Sequence, residues 1–108
     1  EKTFKCLLGG TGFIPVGKHN TYGLLRDMGF QFDYDLDISW DNEPQDLLRF
    51  KSIVKLINDL NKMSIEEIFE ATQHSSKYNQ EYIISGDFYK FCENKNQKII
   101  KDILDNNQ

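Results

Sequence analysis

The most regular pattern in the chain is the alternation of apolar and polar residues from Phe30 to Ile38. Every second position is apolar, and the positions between them are polar or acidic. A period of two places successive side chains on opposite faces of an extended backbone, so this pattern predicts a half-exposed β-strand. A second apolar run, Phe13 to Val16, lies between Gly12 and Gly17 and predicts a short buried strand.

The segment from Thr3 to Leu8 is open to two interpretations. A short apolar run before Gly9 and Gly10 is typical either of a buried strand or of the last turns of a helix capped by glycine. Under either interpretation, the first half of the chain is expected to form a short sheet of two to four strands. The sequence therefore predicts an α/β fold.

Helical signals begin inside this first half. Thr21 to Met28 is expected to form a helix, with Asn20 as its N-cap and Gly29 at its C-terminal end. The acidic stretch from Asp41 to Pro44 is expected to open the next helix, since acidic residues and proline favour a first turn. Its apolar spacing predicts a buried stripe widened by Ile53, whose other members are Leu47, Phe50, Val54, Ile57 and Leu60/Asn61.

The second half of the chain is predicted to be nearly all helix. Ser64 and Glu67 have the spacing of a capping box, which places the start of a helix at Ile65. Ser85-Gly86-Asp87 predicts a break and a fresh cap, after which near-helical apolar spacing continues to Leu104. We therefore expect residues 1–108 to form a single α/β domain with a helical C-terminal half.

Composition excludes several classes of function. A chain of 108 residues fits one domain, and its net charge of −4 and pI near 5.1 give no general attraction for nucleic acid. No apolar run approaches the roughly 20 residues of a membrane span. The two cysteines, Cys6 and Cys92, lack the spacing of a metal site and are expected to be free thiols. We predict a cytoplasmic protein, or its viral equivalent, that binds neither nucleic acid nor membrane.

No metal site is predicted either. Asp33, Asp35 and Asp37 place three carboxylates on one face of the extended segment, but a calcium loop starting there lacks its glycine and its final glutamate. His19 and His74 have no partner at metal-ligand spacing. A solvated polar face is the simpler interpretation of the aspartates.

The glycine-rich stretch from Gly9 to Ile14 (GGTGFI) resembles the opening of extended short-chain dehydrogenases. In that family a third glycine follows, and here its position is held by Pro15. A loop also continues through Lys18 and His19 before any helix begins, so a phosphate would meet a loop instead of a helix N-terminus. An NAD-dependent reductase fragment is therefore the least favoured alternative, and no cofactor is predicted.

A longer resemblance covers the chain to about Leu60. Glu1-Lys2-Thr3-Phe4-Lys5, the pair Leu7-Leu8 and the stretch from Gly12 to Val16 resemble the C-terminal nucleotide-binding region of fucosyltransferase-like, two-domain (GT-B type) glycosyltransferases. The continuation through Leu25 to Phe30 and on to Arg49 is similar to uncharacterised phage-type proteins with the same glutamate-lysine opening.

The resemblance implies a site for a nucleoside-diphosphate sugar. In that family the glutamate holds the donor ribose and the lysine faces the diphosphate, which implies those roles for Glu1 and Lys2. The glycine loop and the loop after Gly17 complete the predicted ligand site, whose residues are Glu1, Lys2, Gly10, Gly12, Lys18 and His19. No catalytic residue is predicted, because the acceptor site and any catalytic base would belong to an upstream half.

Two hypotheses for function thus stand beside each other. The first is the sugar-nucleotide-binding portion of a glycosyltransferase-like protein, inactive alone and completed by an upstream domain; the chain opens on Glu1 instead of methionine, which favours a longer protein. The alternative is a non-catalytic phage or viral interaction module whose helical half docks on a protein partner.

Overall fold

The computed structural model describes residues 2–106, with side chains from residue 3 onward, and all of its regular secondary structure is helical. Its elements are α1 (Lys2–Leu8), α2 (Thr21–Asp27), a 3-10 turn (Ser39–Asn42), α3 (Asp46–Leu60), α4 (Ile65–Ile84) and α5 (Asp87–Asn106). No strand occurs within residues 2–106. The predicted α/β class with an N-terminal sheet is wrong, whereas the predicted helical C-terminal half is confirmed.

Buried and exposed side chains do alternate from Phe30 to Ile38, but this extended segment pairs with a helix and not with a strand. Side chains at Phe30, Phe32 and the following even positions are buried or half-buried, while Asp33, Asp35 and Asp37 are exposed. The backbone is held by α4 instead of by a neighbouring strand. A period of two reports an extended segment with one buried face, and it carries no information on what satisfies the segment's backbone groups.

Polar groups of α4 form a ladder along this extended segment. Three hydrogen-bonding levels exist: Asn79 accepts from the Gln31 amide and donates to the Gln31 carbonyl, both at 2.8 Å; Ser75 Oγ accepts from the Asp33 amide at 2.7 Å; and the Ala71 carbonyl accepts from the Asp35 amide at 2.9 Å. Four helical residues rise about 6.0 Å and two extended residues about 6.7 Å. The two spacings match closely enough for every level to bond.

The segment from Lys2 to Gly12 resolves the ambiguity left by the sequence. It is a helix with a glycine cap: the Thr11 amide donates to the Cys6 carbonyl at 3.0 Å, and the Gly10 amide donates to the Leu7 carbonyl at 3.2 Å. Gly10 has φ of +67°, the left-handed conformation that ends many helices. The expected strand from Phe13 to Val16 is irregular chain after this cap.

The core lies between α2, the extended segment and one face of α3. Its buried apolar side chains come from five stretches of the chain and are Leu7, Tyr22, Leu25, Phe30, Phe32, Trp40, Ile53 and Leu56. Aromatic rings dominate its centre, with Tyr22 4.6 Å from Phe32 and 5.7 Å from Trp40 between ring centroids.

Helix α3 buries a different face from the predicted one. Arg49, Ile53 and Leu56 point inward. Of the predicted stripe, Ile53 is buried and Leu60 is half-buried. Its other apolar members are exposed; they are Leu47, Phe50, Val54 and Ile57. Both faces are apolar at helical spacing, so periodicity alone cannot choose between them. Tertiary contacts determine which face of α3 is buried, because only the observed rotation of the helix lets Arg49 reach the carbonyls of Gly17 and Glu43.

The N-terminus of α2 is capped from a distant part of the chain. Asn20 occupies the N-cap position, as predicted, but its φ of 63° leaves its side chain without a cap hydrogen bond. The buried carboxylate of Asp41 takes that role, accepting from the amides of Tyr22 at 3.0 Å and Gly23 at 3.1 Å. Asp41 therefore belongs to the 3-10 turn and does not open α3, which begins at Asp46.

The two long helices begin at the predicted residues, and α5 continues two residues beyond the predicted end at Leu104. The capping box at the start of α4 is complete, since the Glu67 amide donates to Ser64 Oγ and the Ser64 amide donates to Glu67 Oε1, both at 3.1 Å. Helix α5 begins at Asp87, after the predicted break, and none of its residues is buried. Within residues 2–106, no helix combines the length and the apolar character that crossing a bilayer requires.

We expect Ser64→Ala to lower the free energy of unfolding by about 1 kcal/mol, because the substitution removes the acceptor of the Glu67 amide. Chemical denaturation followed by circular dichroism measures the change. Ser52→Ala is the control: Ser52 is an exposed serine inside α3 and caps no helix. Equal midpoints for Ser64→Ala and the unaltered chain would contradict the prediction.

Candidate functional site

A cavity of about 540 Å³ with mainly apolar walls opens to solvent outside the core. It lies between the loop after α1, the extended segment, the end of α3 and the first half of α4. Its apolar walls are formed mainly by Phe13, Ile14, Leu36, Ile38, Leu56, Leu60, Ile65, Ile68 and Phe69. Cavities of this size with largely apolar walls are typical of ligand sites.

Helix α4 supplies one whole wall of the cavity. Ile65, Ile68, Phe69, Thr72 and Ser76 recur at spacings of three and four residues and therefore share one face of the helix. Farther along, α4 turns Ser75 and Asn79 toward the extended segment, which holds the opposite wall in place. The polar ladder thus fixes the width of the cavity.

Few polar groups face this apolar space. Ser76 is 4% exposed, and its Oγ has no hydrogen-bond partner. Burial raises the pKa of the nearby Tyr34 hydroxyl, and the Phe13 backbone amide opposes that rise. The Ser76 hydroxyl acts in the same direction as that amide, but it lies outside hydrogen-bond geometry with Tyr34. A buried hydroxyl without a partner is costly, and it gives the cavity one polar group that an occupant can satisfy.

The mouth of the cavity is apolar as well. Ile65 is 83% exposed and Phe69 is more than half exposed, although both also line the cavity. They are one turn apart on α4, so the apolar surface runs continuously from the cavity onto the outer face of the helix. An occupant that is larger than the cavity would contact both.

Tyr22 closes the floor of the cavity and joins it to the core. The side chain is fully buried, and its hydroxyl donates to the Phe13 carbonyl. Burial raises the pKa of Tyr22 far above its ordinary value, with smaller contributions in the same direction from Tyr34 and Asp41. The folded protein therefore keeps this hydroxyl protonated in alkaline solution.

We expect the protein to lose stability as the pH rises above about 10, the ordinary pKa of tyrosine. The folded state holds the protons of Tyr22 and Tyr34 and the unfolded state releases them, so unfolding is favoured by alkali and this contribution to stability is complete only at lower pH. Urea midpoints measured from pH 8 to 11 test this. Tyr34→Phe should flatten the alkaline slope; a slope unchanged by that substitution would contradict the prediction.

The glycines of the predicted ligand site line the cavity, but they pack against α4. A Cβ on Gly12 would lie 3.0 Å from the Thr72 Cβ, and one on Gly10 would lie 3.1 Å from Gln80 Oε1. Close approach of the loop to α4 and the positive φ of Gly10 therefore account for both glycines. Phosphate binding at Gly10 and Gly12 stays a prediction.

The other predicted site residues lie apart from the cavity or outside the described chain. Lys18 and His19 are exposed in the loop before α2, and neither lines the cavity. Lys18 borders a separate shallow groove beside Arg49. Glu1 and the side chain of Lys2 lie outside the described residues, so their predicted contacts with ribose and diphosphate stay predictions.

Sequence reasoning gave no structural role to Arg49, which is buried and fully engaged. Its guanidinium donates to the carbonyl of Glu43 at 2.8 Å, to that of Gly17 at 3.0 Å, and to the Asp46 carboxylate at 2.7 Å. The arginine thus ties the loop before α2 to α3. Each of its three nitrogen atoms donates a hydrogen bond, so it is a structural clamp in this arrangement.

Metal ligands do not converge in the part of the chain that the structure describes. Among residues 2–106, no three His, Cys, Asp or Glu side chains are grouped as a metal ion requires. Asp33, Asp35 and Asp37 are exposed, and hydrogen bonds from Ser39 lower the pKa of Asp37. Cys6 and Cys92 are unpaired, as predicted.

Comparison with known proteins finds no match that would help to interpret this geometry. No family model, curated protein or solved structure matches the chain. The resemblance to fucosyltransferase-like proteins therefore stays a prediction that depends on the quoted residues. The apolar cavity and its mouth are the candidate site on which a function can be argued.

Proposed function

We propose that this domain is a non-catalytic interaction module whose cavity receives the apolar side chains of a partner peptide segment. The observation that carries the proposal is the open, apolar cavity with the unpartnered Ser76 hydroxyl in its wall. An apolar occupant would remove the cavity walls from water at about 25 cal/mol for each Å² buried. A polar atom of the occupant would satisfy Ser76.

The form of the mouth favours a polypeptide over an enclosed small molecule. Ile65 and Phe69 extend the apolar surface outward along α4, beyond the volume that a small ligand would fill. A peptide can place one or two side chains in the cavity while its remaining apolar side chains cover the mouth. Recognition of an apolar segment in a groove between helices uses this arrangement.

The balance of buried and exposed apolar residues also supports docking. Among the described residues, 18 large hydrophobic side chains are exposed and 8 hydrophobic side chains are buried. Single exposed hydrophobic residues are ordinary, but contiguous ones mark interaction sites. The exposed stripe of α3 and the mouth of the cavity are contiguous sets of this kind.

A peptide-display experiment tests the proposal. Random 16-residue peptides are selected on the chain, and a selected peptide is titrated into isotopically labelled protein. We expect apolar side chains to recur in the selected peptides and chemical-shift changes to centre on Ser76, Thr72 and Phe69. Ile65→Asp should weaken binding at least tenfold, because it places a charge at the apolar mouth.

The matched control is Ile84→Lys, at the opposite end of the same helix. Ile84 is exposed to a comparable degree and does not line the cavity. Aspartate near the start of a helix and lysine near its end both suit the helix dipole, so neither variant should unfold α4. Equal loss of binding in the two variants, or shifts away from the cavity, would overturn the proposal.

The sugar-nucleotide hypothesis is tested by the same spectra. GDP, UDP and NAD⁺ are titrated in parallel with the peptide. Shifts at Gly10 and Gly12 with GDP or UDP, lost in Lys18→Ala, would support the glycosyltransferase-like function over the interaction module. Shifts at those glycines with NAD⁺ alone would favour the reductase alternative.

A further inference from the structure

A second recess adjoins the apolar cavity. It is a groove of about 620 Å³ between the extended segment, the 3-10 turn and one side of α3, and we call it the Trp40 groove. Leu36 and Leu56 line both recesses, so these two side chains lie where the groove meets the cavity. A ligand that fills the cavity can therefore continue into the groove across a shared wall.

Each recess is bordered by one buried polar atom that has no hydrogen-bond partner. Among residues 3–106 there are two such side-chain atoms, Ser76 Oγ beside the cavity and Trp40 Nε1 beside the groove. Trp40 is 5% exposed, and it lines neither the cavity nor the groove beside Arg49. An indole N–H can only donate, and a buried donor without an acceptor is costly. One ligand that spans both recesses could satisfy both atoms.

The lining of the Trp40 groove carries charges of both signs. Its three acidic residues outnumber its two lysines; the five residues are Asp37, Glu43, Asp59, Lys51 and Lys55. Hydrogen bonds from Ser39 and the charge of Lys55 lower the pKa of Asp37, so this carboxyl is ionised at neutral pH. A carboxylate that enters the groove would meet an excess of negative charge, whereas a neutral carbonyl would not. A neutral acceptor therefore suits Trp40 Nε1 better than an anion does.

We propose that one partner peptide occupies both recesses, with an apolar side chain in the cavity and a backbone carbonyl that accepts from Trp40 Nε1 in the groove. This inference rests on the proposed peptide-binding function and adds a second contact to it. Carbonyls inside a helix are already bonded, so the peptide is extended where it crosses Leu36 and Leu56. The partner is thus an extended peptide that continues past its apolar anchor and carries no acidic residue in the part that enters the groove.

The peptide reaches the indole by displacing exposed side chains at the edge of the groove. Leu48, Lys51 and Lys55 line the groove and are exposed, whereas the Trp40 ring packs against Tyr22 in the core. Exposed side chains change rotamer within picoseconds to nanoseconds. Entry of the peptide is therefore expected to rearrange this edge and to leave the packing of Trp40 on Tyr22 unchanged.

The indole N–H of Trp40 provides the test. Trp40 is the only tryptophan of the chain, so its indole signal in a ¹H–¹⁵N spectrum is assigned without ambiguity. A peptide selected by display should shift the signals of Ser76 and Thr72 and should also move the indole proton downfield, as a new hydrogen bond does. Shortening the peptide stepwise from one end should abolish the indole shift while the shifts at Ser76 persist. The affinity should then fall about fivefold, the loss expected for one hydrogen bond.

Ser52→Phe tests the groove from the protein side. Ser52 is an exposed residue of α3 that lines the groove and not the cavity, so phenylalanine there narrows the groove alone. We expect the complete peptide to bind about fivefold more weakly and the shortened peptide to bind as before. Asn58→Phe is the matched control, because Asn58 is also an exposed polar residue of α3 and lines neither recess. It should leave both affinities unchanged.

The outcomes separate this inference from the proposed function. Cavity shifts with an unmoved indole signal for every bound peptide would overturn the contact with Trp40 and leave the interaction module intact. An indole shift that depends on an aspartate or glutamate of the peptide, and is lost when an amide replaces that carboxylate, would show an anionic occupant and overturn the neutral acceptor. Failure to select any peptide would overturn both proposals.

Discussion

Asp41→Ala is expected to lower the free energy of unfolding by about 3 kcal/mol. The buried carboxylate of Asp41 accepts from the amides of Tyr22 and Gly23, and hydrogen bonds to a charged group contribute roughly 1.5 to 3 kcal/mol each. Alanine leaves two amides at the start of α2 without an acceptor. Urea denaturation followed by Trp40 fluorescence measures the loss, since Trp40 is buried beside this cap.

Two further variants separate capping from general effects. Asp41→Asn keeps one carbonyl oxygen but turns an amide donor toward a backbone donor, so its midpoint should fall between those of the alanine variant and the unaltered chain. Asp37→Ala removes an exposed aspartate that accepts from the Ser39 amide at 3.1 Å, and it should change the midpoint little. Equal effects at Asp37 and Asp41 would contradict the prediction.

Asn79→Leu is expected to cost roughly 3 kcal/mol, although leucine has a similar volume. The Asn79 amide satisfies both the N–H and the C=O of Gln31, and leucine satisfies neither. The loss also releases the extended segment from α4. Thermal and urea denaturation measure the change, with His74→Leu as an exposed control on the same helix.

Asn79→Asp gives the same prediction a pH dependence. An ionised carboxylate accepts from the Gln31 amide but repels the Gln31 carbonyl, whereas a protonated carboxyl can donate to it. The folded state should therefore raise the pKa of the introduced aspartate, and the variant should regain stability relative to the unaltered chain as the pH falls toward about 4. A deficit that is constant with pH would contradict this role for the Gln31 carbonyl.

Local signals in the sequence predicted local structure. The capping box at Ser64 and the break at Gly86 depend on residues within four positions of each other, and both lie where predicted. The glycine cap of α1 was one of two interpretations of a short apolar run. Such features are encoded by neighbouring residues, so the sequence alone was sufficient for them.

Features that depend on distant residues were not predictable in the same way. The extended segment has the alternation of a strand, yet its backbone partner is Asn79, 48 residues away. The cap of α2 comes from Asp41 and not from the adjacent Asn20. In each case a side chain that is remote in sequence satisfied a backbone group, and periodicity does not report such pairings.

The candidate site likewise combines residues that the sequence singled out with residues whose role depends on distant parts of the chain. Gly10 and Gly12 were predicted to contact a ligand; both line the cavity, and Gly10 has a positive φ, but the ligand contact stays a prediction. What surrounds them is set by α4, whose Thr72 and Ser76 gave no signal in the sequence. An unpartnered buried hydroxyl such as Ser76 Oγ can be recognised only when its neighbours are known.

The polar ladder on α4 can form only late in the synthesis of this protein. Ribosomes release the N-terminal residues first, at about 5 to 20 residues per second. Gln31 and Asp33 emerge seconds before Ser75 and Asn79, their partners. Until α4 follows, the extended segment is an unpaired, alternating sequence of the kind that adds to the edge of another strand. The aspartates that alternate with its apolar residues are charges of the kind that disfavour such edge pairing.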